Sequence, residues 1–355
     1  MRKRNRSQGD RLTVDGGRIP VSVITGFLGS GKTTLLNHLV RHPGMGETAV
    51  IVNEFGEIGL DHELIENSDE NTILLGSGCL CCTVRGDLVD TLGDLSVRRL
   101  KGEVPPFKRV VIETTGLADP APILHTLMSV PVVRRYALEN VITTVDLVNG
   151  SNTLIKHKEA VKQVAIADRL IITKSDLCEA DENDRLAAEL RKLNPAAPMI
   201  SVVDGDIDPD DLFGSLRFDL QTKSDEVREW LRAEEYDDDA AQHKHDVNRH
   251  DDHIEAFCLT FSEPMNWSTV ALWLDTLVAS QGEKLLRVKG ILNVIDIPEP
   301  LVIHAVQHLF HPPVRIKAWP AGPHASRIVF ITRDLPRSEV EDAYKKAESA
   351  TQSLH

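Results

Sequence analysis

The chain has 355 residues, 40 Lys and Arg against 54 Asp and Glu, and a formal net charge of −14. Neutralising a phosphate backbone needs a basic face, so this balance argues against nucleic acid as the main partner. No apolar run reaches the ~18 residues that a membrane span requires. The basic start Met1–Ser7 is not followed by an apolar signal segment. A disordered lead-in over residues 1–18 is therefore expected, in a cytoplasmic protein with no membrane partner.

From Val21 onward, apolar β-rich runs alternate with helical stretches. The runs Val21–Thr25, Thr48–Val52, Thr72–Leu75, Val110–Glu113, Asn140–Val145, Arg169–Thr173 and Met199–Val202 read as strands. Helices are expected at Thr33–Arg41, Asp87–Ser96, Ile123–Met128, Ser151–Ala165 and Glu179–Leu193. Several of the strands are continuous apolar runs, as suits burial on both faces of a parallel sheet. The alternation predicts a doubly wound, mostly parallel α/β domain over residues 19–215. Residues 216–253 are dominated by charge, with the run Glu234–Asp239 and His243, His245, His250 and His253. That composition cannot bury much apolar surface and reads as a charged, His-rich linker. A small α+β domain is expected over 254–348. Its strands are Ala256–Phe261, Leu285–Leu292, Leu301–Val306 and Ser326–Ile331, and its helices Trp267–Ser280 and Ser338–Ala347.

The first expected strand runs into Gly26-Phe-Leu-Gly29-Ser30-Gly31-Lys32-Thr33-Thr34, the pattern of a phosphate-cradling P-loop in its strand-to-helix context. Gly26, Gly29 and Gly31 allow a tight turn whose N–H groups converge on phosphate oxygens. Lys32 reaches the β and γ phosphates, and the Thr33 hydroxyl is placed for Mg²⁺. The strand Val110–Glu113 ends in an acid and is followed by Gly116, the arrangement of a Walker B segment. Glu113 is the candidate to hold Mg²⁺ and to serve catalysis with Lys32. Gly116 is the candidate sensor of the γ-phosphate. Thr173-Lys174-Ser175-Asp176 closes a later strand in the form [NT]-K-x-D. An Asp there accepts hydrogen bonds that guanine offers and adenine lacks, which favours GTP.

Five cysteines are present, and three of them crowd into Cys79-Leu80-Cys81-Cys82. A disulfide framework is not spaced this way. Reduced thiols in a cytosolic compartment, available to a soft metal such as Zn²⁺, fit better. Zinc is preferred, with cobalt the alternative. A fourth ligand is sought among Glu54, Glu57, Asp61 and His62. Cys178 and Cys258, in apolar surroundings, read as structural, and His304, His308 and His311 as core or surface residues.

Taken together, Gly26–Thr34, Asn53-Glu54-Phe55-Gly56, Gly78–Cys82, Glu113–Pro120, Thr173–Asp176 and the later Leu286-Arg-Val-Lys-Gly290 resemble the CobW-type proteins. These are a branch of the P-loop GTPases associated with metal-centre assembly. The resemblance runs from about residue 20 to about residue 335 of the chain. It implies a GTP-hydrolysing metallochaperone that binds its metal at Cys79, Cys81 and Cys82 and delivers it to a client metalloprotein. It also implies that Glu54 is a switch-region acid coupling the nucleotide to that site, and that a homodimer is an option. The alternatives are an activator of the nitrile hydratase or cobalamin type, and a regulatory GTPase whose cysteines are structural.

Overall fold

The computed structural model describes residues 17–52, 73–76, 84–213, 254–316, 318–319 and 324–353. Glu54, Cys79, Cys81, Cys82 and the expected linker over 216–253 lie outside the described residues. Of the expected lead-in, Gly17 and Arg18 are described, and the Arg18 guanidinium donates to the Val133 carbonyl at 3.4 Å.

Seven described strands make the first sheet. They are β1 (Ile19–Gly26), β2 (Thr48–Val52), β3 (Ile73–Gly76), β4 (Arg109–Glu113), β5 (Tyr136–Asp146), β6 (Arg169–Thr173) and β7 (Met199–Ser201). Their order is β3-β2-β4-β1-β5-β6-β7, with every pairing parallel. Helices α1 (Lys32–Arg41), α2 (Val84–Lys101), α3 (Ala121–Met128), α4 (Gly150–Lys156), α5 (Lys158–Ala165), α6 (Ala180–Leu193) and α7 (Pro209–Phe213) connect and cover them.

The period-2 geometry of a strand sends successive side chains to opposite faces, and both faces here are apolar. Val21 and Val23 pack with Leu92 and Leu95 of α2 and Leu124 of α3. Ile24, one residue on, packs with Leu35, Leu36 and Leu39 of α1 and with Phe213. Such double coverage is what the continuous apolar runs anticipated.

Several expected elements differ in extent, Val84–Lys101 and Ile297–Val306 among them, and two differences bear on the site. Strand β5 starts at Tyr136, four residues before the expected Asn140, because Glu139 is buried and its carboxylate accepts a hydrogen bond from Ser22 Oγ at 3.0 Å. The expected helix Ser151–Ala165 is two helices, α4 and α5. His157 between them is extended (φ −129°, ψ 110°), and its ring stacks on Phe27 at 4.4 Å. The contact with Phe27 is tertiary and leaves no periodic trace in the sequence.

The second domain comprises β8 (Ile254–Phe261), α8 (Trp267–Gln281), β9 (Leu285–Val294), β10 (Ile297–Val306), β11 (Leu309–Phe310), β12 (Val314–Arg315), β13 (Ser326–Arg333) and α9 (Arg337–Gln352). Its antiparallel sheet has the order β11-β10-β9-β13-β8, with β12 added against β10. Trp273 of α8, Val340 of α9 and Phe330 of β13 form the core on one face. The opposite face supplies Cys258, Ile291, Val302 and Val329 to the same apolar cluster as Ala165, Ile166 and α3 of the first domain.

One ionic contact crosses this shared core. Asp168, just before β6, receives Arg287 Nη2 at 2.7 Å and Lys289 Nζ at 2.8 Å on one oxygen, and the Val141 N–H at 2.9 Å on the other. The Arg287 Nη1 also donates to the Ile166 carbonyl. Burial would push the Asp168 carboxyl up, but the charges of Arg287 and Lys289 outweigh it and hold it well below the usual carboxylate range. Such a carboxylate stabilises the fold above its unfolded value of ~4 and loses that effect only in strong acid. His304 is different. Burial first, and then the charge of Arg287, hold its imidazole well below 6.5, so it is neutral in the fold.

Two outcomes are expected. Asp168→Asn leaves Arg287 and Lys289 buried without a counter-charge and should cost about 3–5 kcal/mol in denaturant unfolding. Wild-type stability should begin to fall as pH drops below about 6.5, because an unfolded His304 takes up a proton that the folded one refuses. A His304→Gln variant should show a shallower decline across that window in thermal melts.

Candidate functional site

The functional groups gather at the carboxyl ends of β1, β4, β5 and β6, the edge where open parallel sheets bind ligands. Backbone torsions make the loop after β1 possible. Gly26, Gly29 and Gly31 have φ of +142°, +73° and +88°. A Cβ on Gly26 would lie 2.3 Å from Thr144 Oγ1 and 2.4 Å from the Thr144 carbonyl oxygen, closer than any side chain tolerates. The loop is braced behind by Ser30 and Thr144, whose hydroxyls are 2.6 Å apart. Gly31 caps α1, so the loop ends on the positive end of a helix dipole, a ready anion site.

Lys32 is almost fully buried, and its ammonium donates to the carbonyls of Gly26 and Phe27, both at 3.0 Å. Thr33 Oγ1 donates to Glu113 Oε1 at 3.0 Å, so a residue of α1 and one at the end of β4 meet in front of the loop. A hydroxyl and a carboxylate at this spacing form a hard, all-oxygen donor pair, which fits Mg²⁺. Thr34, one residue further on, is exposed. Thr114 pins the start of the next loop by donating to Thr25 Oγ1 at 2.8 Å. That loop then closes on the P-loop: a Cβ on Gly116 would fall 2.7 Å from Leu28 N and 3.1 Å from Lys32 Nζ.

The Thr173–Asp176 segment follows β6. The Thr173 hydroxyl donates to the Ser30 carbonyl at 2.8 Å, tying this segment to the P-loop. Lys174 adopts a left-handed conformation (φ +57°) and its ammonium pairs with Asp146 Oδ2 at 2.7 Å. Asp176 is exposed on a single 3₁₀ turn, Ser175–Leu177.

Thus Gly26, Gly29, Ser30, Gly31, Lys32, Thr33, Glu113, Gly116 and Thr173 come together, with Lys174 beside them. Cys79, Cys81, Cys82 and Glu54 lie outside the described residues. Among the described residues no group of three or more His, Cys, Asp or Glu could hold a metal ion. Cys258 is buried in the shared core and Cys178 is half-buried. His304 is half-buried with its ring Nε2 enclosed, His311 is half-buried and His308 is exposed.

Sequence reasoning passed over Asp146. It ends β5, pairs with Lys174, and accepts from Asn149 Nδ2 and the Val148 N–H, both at 2.9 Å. Burial would raise its carboxyl, but these hydrogen bonds and the Lys174 charge leave it lowered. An acid closing an apolar strand beside the P-loop strand was the available signal.

For Gly26→Ala we expect a Cβ collision with Thr144 costing about 1–3 kcal/mol, together with loss of nucleotide binding. Thermal melts with and without nucleotide check both: the wild type should gain stability on ligand addition, and the variant should not.

The family model for the CobW/HypB/UreG nucleotide-binding domain matches residues 20–201. That for the cobalamin synthesis protein CobW C-terminal domain matches residues 254–348. The chain is 35% identical over 329 residues to the zinc chaperone YjiA of Escherichia coli, spanning 92% of this chain and 98% of that protein. It is 29% identical over 323 residues to zinc-regulated GTPase metalloprotein activator 1 of Schizosaccharomyces pombe, with coverage of 81% and 76%. Among solved structures, the Zn(II)-bound YjiA GTPase from E. coli superimposes with a TM-score of 0.69 at 30% identity, over 93% of this chain and 99% of that one.

Proposed function

The chain belongs to the CobW/HypB/UreG family, and from that premise we propose that it is a GTP-hydrolysing zinc chaperone. The observation that carries the reading is the meeting of Thr33 and Glu113 in front of a glycine-built loop that holds Lys32 over its mouth. The loop N–H groups from Gly26 to Thr34 take the phosphates. Lys32 exchanges its two loop carbonyls for β- and γ-phosphate oxygens. Thr33 and Glu113 hold Mg²⁺, which, when bound, neutralises charge developing on the transferred phosphoryl group. The Gly116 N–H is aimed at the γ-phosphate. Thr173 fixes the base-reading segment against the P-loop, the Lys174 stem flanks the base, and Asp176 accepts the guanine N–H groups.

The cargo is zinc, taken by the thiolates of Cys79, Cys81 and Cys82 with Glu54 as a further candidate ligand. Thiolates favour a soft or borderline ion, and the names of the relatives support zinc over cobalt. The recipient is a client metalloprotein.

The reading is tested on purified, reduced, metal-free protein. GTP should out-compete ATP. Thr33→Ala should weaken Mg²⁺-dependent turnover by about 10–100-fold. Titration with Co²⁺ should produce a thiolate charge-transfer band that Zn²⁺ displaces, that a Cys81→Ser, Cys82→Ser double variant lacks, and whose midpoint moves when GTP and Mg²⁺ are present. A preference for ATP would overturn the GTPase assignment. A band whose midpoint ignores the nucleotide would overturn the chaperone coupling.

A further inference from the structure

Gln163 is a residue that neither the P-loop chemistry nor the thiolates use. It sits on α5, is 1% exposed, and has both amide protons committed to one loop. Its Nε2 donates to the Gly116 carbonyl at 3.3 Å and to the Ala118 carbonyl at 3.1 Å. The preceding residue reinforces this: Lys162 Nζ pairs with Asp119 Oδ2 at 2.6 Å. Helix α5 thus grips the Gly116–Asp119 loop at three points. The helix is itself held, because Thr143 Oγ1 of β5 donates to the Gln163 carbonyl at 2.8 Å.

The amide oxygen supplies the decisive detail. Gln163 Oε1 is buried and has no hydrogen-bond partner among the described residues. Gln163 is also one of the residues lining a cavity of about 320 Å³ between the P-loop, the end of β5 and helices α4 and α5. A buried acceptor without a partner carries a desolvation cost. A leucine would fill the space without that cost, so packing does not explain an amide here. The amide is explained by what its NH₂ does.

We propose that Gln163 is a positioning residue for nucleotide-state sensing. By holding the Gly116 and Ala118 carbonyls it fixes the course of the loop just past Gly116, and so pins Gly116, whose own N–H lies in the preceding peptide, against Leu28 and Lys32 of the P-loop, where that N–H meets a γ-phosphate. This rests on the reading of Gly116 given above. A γ-phosphate sensor meets its ligand only in the triphosphate, so losing the grip should weaken triphosphate binding and spare diphosphate binding.

The test uses the full-length protein and compares the affinities of a non-hydrolysable GTP analogue and of GDP. Gln163→Leu should lower affinity for the analogue about tenfold and leave GDP within about twofold. Gln163→Glu supplies the second readout. Ionised, it repels both carbonyls; protonated, it donates to one of them. Its triphosphate preference should therefore recover as the pH falls from about 8 to about 6, since burial raises a carboxyl pKa. The leucine variant should show no such recovery. Equal losses for both nucleotides, or no loss, would overturn the proposal while leaving the GTPase reading intact. Wild-type protein that binds neither nucleotide would remove both. Wild-type protein that prefers ATP would remove the guanine assignment alone, because the triphosphate-to-diphosphate ratio does not depend on the base.

Discussion

The nucleotide end of the molecule depends on one close approach, that of the Gly26 backbone to Thr144. Parallel pairing of β1 with β5 brings the two strand ends level, with Gly26 opposite Thr144. There the chain must turn, and it does so with a positive φ and no Cβ. With that turn made, Ser30 reaches Thr144, Lys32 folds back over the loop, and α1 begins where Thr33 meets Glu113. Each later contact assumes the earlier one. A side chain at position 26 would not remove a single hydrogen bond; it would separate two strands.

The same β5 organises the opposite side of the site. Thr143 holds α5, Thr144 holds the P-loop, and Asp146 holds Lys174. Alternation along the strand sends neighbouring residues to opposite faces. One short segment therefore anchors the phosphate loop on one side and the helix beneath the Gly116 loop on the other. A few residues after Gln163, Ile166 and Asp168 receive Arg287 and Lys289 from β9. Helix α5 thus lies between a loop at the nucleotide edge and the sheet of the second domain, with polar contacts at both ends. The ionic contact is no large source of net stability, because desolvating three charges offsets much of their attraction. What it supplies is register: a displaced α5 would leave a carboxylate and two cations buried apart.

Much of this was legible in the sequence, and the reason is physical. Strands covered on both faces must be apolar throughout, so Val21–Ile24, Val110–Ile112 and Leu170–Ile172 announce themselves. A phosphate cradle admits few sequences, because the backbone itself is the ligand and only glycine takes its torsions. The clearest readings therefore came from Gly26–Thr34 and from strands ending in functional residues, such as Glu113 and Thr173.

What was not legible depends on partners far along the chain. Glu139 looks like the end of a loop until Ser22 is known to face it across the sheet. His157 looks like mid-helix until Phe27 is known to stack on it. Asp168 looks like a surface acid between a helix and a strand until Arg287, more than a hundred residues on, is known to reach it. Gln163 looks like an ordinary polar residue of an amphipathic helix, although it is wholly buried. Glu139, Gln163 and Asp168 are buried polar side chains whose cost of burial is offset by specific groups distant in the chain, and the half-buried His157 is placed by a distant ring. Local periodicity records which face a residue occupies but not what lies opposite. These four residues all belong to the segment from β5 to the start of β6, which shares surfaces with the P-loop, the Gly116 loop and the second domain. Where three bodies meet, apolar packing alone leaves their relative positions loosely defined. Buried polar pairs restrict them, because each pair is satisfied in only one arrangement.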